Sequence, residues 1–189
     1  MDLILFGIQG SGKGTQAKRL AQKLGYQVFE AGGALRAMAA SGTPLGDTVK
    51  SYIDAGHLVP HEIIMRVAKE AIARFPRETP ILFDGLPRDR DQQHDFDVMM
   101  AELGRQFRCV RLKLDEDEAM RRIQGRAVAE GRTDDAREEV IRKRMGIYRE
   151  KTSPVADAYA ERGLLQDVDA SGDMDEVFDR LLQAIPVAA

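Results

Sequence analysis

The sequence predicts one α/β domain, built on a parallel sheet of about five strands with helices on both faces. Three observations predict it. Short apolar runs alternate along the chain with stretches of three-and-four spacing. Such alternation implies parallel pairing, because each crossover helix returns the chain to the same edge of its strand. A glycine-rich turn lies between the first apolar run and the first helical stretch. The length, 189 residues with 43% hydrophobic and 31% charged side chains, is that of one soluble globular unit.

The elements follow in order. Leu3 to Phe6 is a short apolar run that stops at Gly7, and Ala17, Leu20, Ala21 and Leu24 then repeat at helical spacing. Gln27 to Phe29 is a second strand. Residues 31 to 59 break the rhythm, with Gly32-Gly33, a turn at Ser41-Gly42-Thr43-Pro44 and a weak helix ending at Gly56. Ile63, Ile64, Val67, Ala68, Ala71, Ile72 and Phe75 mark an amphipathic helix. Pro80 to Phe83 is an apolar strand closed by Asp84-Gly85, and Val98 to Leu103 belongs to another helix. Cys109 to Leu114 alternates as a strand does. Ala119, Met120, Ile123 and Ala127 form one helix stripe, and Val140, Ile141, Met145 and Tyr148 the next. Leu164 to Val168 is the last strand, and Val177, Phe178, Leu181 and Leu182 the last helix. Ligands of such sheets bind at the carboxyl ends of the strands. Those ends are expected at Phe6, Phe29, Asp84, Leu114 and Val168.

Composition narrows the function. The net charge of -3 gives no overall pull toward nucleic acid or anionic membrane. No apolar run approaches the ~20 residues of a membrane helix. The N-terminus carries Asp2 where a signal peptide wants bases, so a cytoplasmic protein is expected. One cysteine, Cys109, rules out an internal disulfide and a cysteine-rich zinc site. His57, His61 and His94 show no metal-ligand spacing, Cys109 is expected to pack within its strand, and Met99-Met100 at a helix core edge.

Gly7-Ile8-Gln9-Gly10-Ser11-Gly12-Lys13-Gly14-Thr15 has the Gly-x4-Gly-Lys spacing of a P-loop between a strand and a helix. Its glycines let the backbone turn successive N–H groups toward phosphate oxygens, the helix N-terminus adds partial positive charge, and Lys13 reaches the outer phosphates. Gly14 stands where the general pattern wants Ser or Thr, with Thr15 one further on. Asp84, ending an apolar strand, is placed as a magnesium-positioning acid of a P-loop protein, magnesium arriving with the nucleotide and mostly water-coordinated. An Asp-Gly turn is the plainer alternative.

Here the chain resembles the adenylate kinases, within the nucleoside monophosphate kinases, over nearly its whole length. Gly-x-x-Gly-x-Gly-Lys-Gly-Thr is their form of the loop and accounts for Gly14. Asp84-Gly85-Leu86-Pro87-Arg88 with Gln92 is similar to their second signature. Tyr52 to Pro60 matches their monophosphate-side hairpin. Gly125-Arg126, Gly131-Arg132-x-Asp134-Asp135 and Arg142-Lys143-Arg144 match the arginines around their lid. The resemblance implies a P-loop nucleoside-triphosphate-hydrolase-like fold spanning 1–189, a monophosphate-binding segment at 30–59 and a short lid at 126–132 with no zinc site. It implies a phosphotransferase moving the terminal phosphoryl group of MgATP to AMP and giving two ADP, as a monomer without nucleic-acid or membrane partners.

The same resemblance assigns the residues. Gly10, Ser11, Gly12, Lys13, Gly14, Thr15, Arg122, Arg126 and Gly172 would meet ATP. Ala31, Arg36, His57, Leu58, Val59, Gly85, Leu86, Pro87, Arg88, Gln92, Arg132 and Arg144 would meet AMP. Lys13 and the six arginines 36, 88, 122, 126, 132 and 144 would act in transfer, which crowds phosphates that forked, permanently charged guanidinium groups neutralise. Arg122 and Arg126 lie four apart, on one helix face. Arg144 falls by helical spacing among Val140, Ile141, Met145 and Tyr148; a buried arginine there needs an anion, and one that snorkels to an edge does not.

Three positions depart from the pattern. Gln9 stands where the family usually has proline, Gly33 where it usually has aspartate near the magnesium water shell, and Ala31 where adenylate kinases usually have threonine. Pyrimidine monophosphate kinases resemble the chain at Ala31. Gln92 points to adenine, since one amide serves the N6 donor and N1 acceptor together. A UMP/CMP kinase and a weakly active nucleotide-binding relative are the alternatives. A switch that reads guanine through Asn-Lys-x-Asp is excluded, because the chain has no asparagine.

Overall fold

The computed structural model describes residues 1–130 and 137–185, with residues 126–130 described by their backbone alone. The described chain forms a parallel five-stranded sheet in the order β2-β3-β1-β4-β5. Its strands are β1 (Asp2–Gly7), β2 (Gln27–Glu30), β3 (Ile81–Asp84), β4 (Phe107–Lys113) and β5 (Leu165–Asp169). The expected strands all form, in parallel, with carboxyl ends within one residue of those read from the sequence.

Alternation of side chains sorts the core into two layers. Ile4 and Phe6 of β1 join Phe29, Ile81, Phe83 and Cys109 on one face. Helices α4 (His61–Ile72), α5 (Arg90–Glu102) and α8 (Ser153–Glu161) cover it with Ile64, Met65, Phe96, Met99, Met100, Val155 and Tyr159. Phe83 and Phe96 meet edge to face at 4.9 Å. On the other face Leu3, Leu5, Leu82, Val110, Leu112 and Val168 pack under α1 (Lys13–Leu24) and α9 (Met174–Ala184). A smaller cluster joins Ile8 to Ala119 and Ile123 of α6 (Glu116–Glu130) and to Ile141 and Met145 of α7 (Glu138–Ile147). A π-helical turn, Tyr148–Thr152, links α7 to α8. Among the described residues, no helix is long and apolar enough to cross a membrane.

Several readings change in detail. The weak helix ending at Gly56 forms as α3 (Pro44–Asp54), and a further helix, α2 (Ala31–Ala39), precedes it where the sequence reading has none. Thr43 separates them, its hydroxyl accepting from the Gly46 N–H to cap α3, with Pro44 at the first helical position. Helix α5 begins at Arg90, well before the apolar stretch, and Met99 and Met100 are fully inside the core, not at its edge. Gly125 lies within α6 and does not bound a loop. Of the expected lid at 126–132, residues 126–130 are the end of that helix, and the rest lies outside the described residues.

Candidate active site

The carboxyl ends of β1, β2 and β3 open into a cleft of about 650 Å³. One wall is the phosphate loop. Gly10 has φ +87°, and a Cβ there would come within 2.5 Å of the Ala119 carbonyl oxygen. Glycine is therefore required both for its backbone angle and for the loop's approach to α6. Gly12, also at φ +87°, caps α1 without a side-chain hydrogen bond. Gly12, Lys13, Gly14 and Thr15 line the cleft, so the N-terminus of α1 faces it. Lys13 folds along the loop, its Nζ donating to the carbonyls of Gly7 at 2.5 Å and Ile8 at 3.1 Å. Asp84 lies beside this loop, its Oδ2 3.5 Å from where a Cβ on Gly14 would stand.

The opposite wall is cationic. Arg36 comes from α2, Arg88 from the β3–α5 connection and Arg144 from α7, and all three line the same cleft. Arg88 is fixed at several points. Its Nε donates to the Gly85 carbonyl at 2.8 Å, its N–H donates to Gln92 Oε1 at 2.9 Å, and its carbonyl accepts from the Thr152 hydroxyl at 2.7 Å. Burial pushes the Arg88 guanidinium below its ordinary value; Asp84 opposes this, while Arg144 and Arg36 push it further down. An arginine stays charged under such a shift, so three like charges share this wall of the cleft. Arg144 is half-buried and donates from Nη2 to the Ile53 carbonyl at 3.1 Å. It sits at the cleft wall and is not a core arginine.

Gln92, 3% exposed, lines this space. Its Oε1 accepts from Arg88, and its Nε2 reaches Asp89 Oδ2 at 3.4 Å. These two partners fix which end is oxygen. They leave one acceptor lone pair and one N–H for a ligand.

The adenylate kinase family profile matches residues 5–164. Relatives named adenylate kinase include proteins of Thermus thermophilus, 41% identical over 98% of this chain and 97% of the relative, and of Micrococcus luteus, 42% identical over 97% and 89%. Another, from Thermobifida fusca, is 40% identical over 98% of each chain. The chain belongs to the adenylate kinase family.

The site residues expected from the family's motifs are mostly gathered in the one cleft. Gly10, Gly12, Lys13, Gly14 and Thr15 line its loop side, and Ala31, Arg36, His57, Leu58, Val59, Gly85, Pro87, Arg88, Gln92 and Arg144 its other side. His57 is exposed and meets Lys143 Nζ at 3.0 Å. Ser11 and Leu86 are buried behind the wall. Arg122 does not line the cleft; it binds Glu118 at 2.8 Å and the carbonyls of Ala170 at 3.2 Å and Gly172 at 3.3 Å. That arrangement does bring Arg122 and Gly172 together. The Arg126 side chain and Arg132 lie outside the described residues.

The cleft also contains residues that sequence reasoning passed over: Lys18, Glu30, Tyr148 and Thr152. Burial pushes the Tyr148 phenol up to about 12, which keeps it a neutral donor at working pH. Glu30 closes β2 one residue beyond the expected end and pairs in register with Asp84, a register that the sequence does not show.

Magnesium fits this site as a companion of phosphate. Asp84 is a buried carboxylate beside the loop, and among the described residues no three His, Cys, Asp or Glu side chains gather to hold a metal by themselves. A cation beside Asp84 would therefore take its other ligands from water and nucleotide oxygens.

Proposed function

We propose that the chain catalyses reversible transfer of the terminal phosphoryl group of MgATP to AMP, yielding two ADP. One observation carries the reading: a phosphate loop with its lysine and a cluster of three arginines face each other across a single cleft. Two anionic substrates can meet there end to end. The loop N–H groups and Lys13 hold the phosphates of ATP; Asp84 would hold magnesium through water, and the ion would supply charge neutralisation on those phosphates. Arg36, Arg88 and Arg144 hold the acceptor phosphate and take up charge as the phosphoryl group moves. Arg122, Arg126 and Arg132 complete the arginine set, with Gly172 on the ATP side. Gln92 reads adenine. The segment at 30–59 carries the acceptor, and the lid is placed at 126–132. The enzyme is read as a cytoplasmic monomer acting on ATP, AMP and ADP.

Ala31 favours a second reading, a UMP/CMP kinase, since this buried position offers no hydroxyl to a base. A coupled assay with ATP and each of AMP, UMP, CMP and GMP decides between them. AMP is expected to give the highest kcat/KM; a preference for UMP or CMP overturns the reading of Gln92.

A further inference from the structure

Glu30 is an anion inside a site built for anions. It is the last residue of β2 and stands at the cap position of α2, yet its carboxylate accepts no α2 backbone N–H. It is paired with Arg36 instead, Oε1 lying 2.9 Å from Nη2. The pair is half-exposed, at 38% for Arg36 and 44% for Glu30, and both residues line the cleft. The first turn of α2 makes room for it. A Cβ on Gly32 would stand 3.1 Å from Arg36 Nη1, and one on Gly33 3.1 Å from Glu30 Oε2. Two glycines, weak helix formers, thus leave a notch in which the arginine folds back on the carboxylate. Glu30 also acts electrostatically on Arg88, which repels Arg36.

We propose that Glu30 is a built-in counter-anion of the acceptor site, displaced from Arg36 by the incoming phosphate, and that it sets acceptor affinity and selects for a phosphate dianion. This rests on the reading of Arg36 as an acceptor-phosphate ligand. In the empty cleft the carboxylate neutralises Arg36 and relieves its repulsion with Arg88. An acceptor phosphate brings two negative charges to the same guanidinium. It cannot share that place with the carboxylate at close range without strong like-charge repulsion, and its double charge and paired oxygens win the exchange. A nucleoside without phosphate has nothing to exchange, and so leaves Glu30 in place.

The test measures binding of AMP, adenosine and ATP by calorimetry, with steady-state kinetics, for wild type, Glu30→Gln, Glu30→Ala, Arg36→Ala and Glu30→Gln combined with Arg36→Ala. Loss of the carboxylate is expected to tighten AMP roughly three- to fivefold, the scale of one half-exposed charge pair. KM for AMP falls in step. Adenosine and ATP binding stay within twofold, and the gain vanishes when Arg36 is absent. A purely structural role would shift adenosine and AMP together, and that result overturns the proposal. If both Glu30 variants bind AMP equally or more weakly while Arg36→Ala weakens it, Arg36 keeps its role and Glu30 merely holds it in place, which also overturns the proposal. If Arg36→Ala leaves AMP binding unchanged, the assignment of Arg36 falls and the proposal falls with it.

Discussion

Lys13 folds over its own loop, with Nζ on the carbonyls of Gly7 and Ile8, and in the proposed reaction its ammonium serves the terminal phosphates of ATP. Its charge does most when phosphates reorganise in the transition state. Lys13→Ala is expected to lower kcat more than about tenfold with the thermal unfolding midpoint nearly unchanged, a catalytic charge being worth several kcal/mol. A variant keeping more than a tenth of wild-type kcat contradicts that role. Gln92 makes a second residue-scale prediction. Gln92→Asn draws the amide away from Arg88 N–H and Asp89 as well as from the base, and acceptor preference is expected to move partly from AMP toward UMP and CMP. Ala31→Thr is expected to move it the other way; relative kcat/KM values across the four acceptors check both. At this scale sequence reading does best where chemistry restricts the choice of residue. The glycines of the loop, Lys13 and Asp84 could be picked out because few other residues do those jobs, whereas the arginines were assigned through the family resemblance. Glu30 was passed over because an acid at a strand end is commonplace until Arg36 is seen folded against it.

Helix α5 shows why elements at a site are harder to read than elements of the core. Its second half, from Val98, carries Met99 and Met100 into the sheet layer, and that half was legible. Its first half, Arg90 to Asp97, is polar but for Phe96: Gln92 lines the cleft, and Gln92 and Gln93 are buried without being apolar. A periodicity built on hydrophobic residues cannot register such a stretch. The irregular segment hid α2 for a similar reason: α2 has Gly32 and Gly33 in its first turn, and Ala31 is its one fully buried residue. What starts α5 is Asp89, whose Oδ1 accepts from the Gln92 N–H at 2.9 Å while Oδ2 steadies the Gln92 amide. Asp89→Ala is expected to cost about 1 kcal/mol of stability, the usual worth of an N-cap. That lowers the unfolding midpoint by roughly 2–4 °C for a domain of this size. It is also expected to raise KM for AMP more than KM for ATP, because the unpinned amide loses its orientation. Asp89→Asn keeps the cap, so stability should return. If KM for AMP follows stability alone across the two variants, Asp89 only caps the helix.

At the scale of the whole molecule, the sheet was legible and the arrangement around the cleft was not, because contacts between distant segments leave no periodic trace. The tip of the segment at 30–59 meets α7. Arg144 Nη2 donates to the Ile53 carbonyl at 3.1 Å, Arg137 Nη2 to the Asp54 carbonyl at 2.7 Å, and Lys143 meets His57 at 3.0 Å. These are polar, mostly exposed ties, unlike the apolar packing that holds the sheet. Exposed polar contacts form and break at low cost. A transfer between two nucleotides needs water kept out during chemistry and an opening afterwards to release ADP. Ties of this strength suit both. A two-headed analogue joining ATP to AMP is therefore expected to bind far more tightly than either nucleotide, since it holds both halves of the cleft with a single loss of translational freedom. Amide hydrogen exchange in α3 should slow on binding it, while exchange in β1 and β3 stays as slow as before. Arg137 touches the segment at its outer edge, away from the cleft lining. Arg137→Ala is expected to weaken the analogue several-fold and leave ATP alone unaffected, as one exposed tie worth up to about 1 kcal/mol is lost only from the closed form. Equal weakening of ATP and analogue, or α3 exchange that does not respond to the analogue, would show that the segment does not close against α7 during turnover.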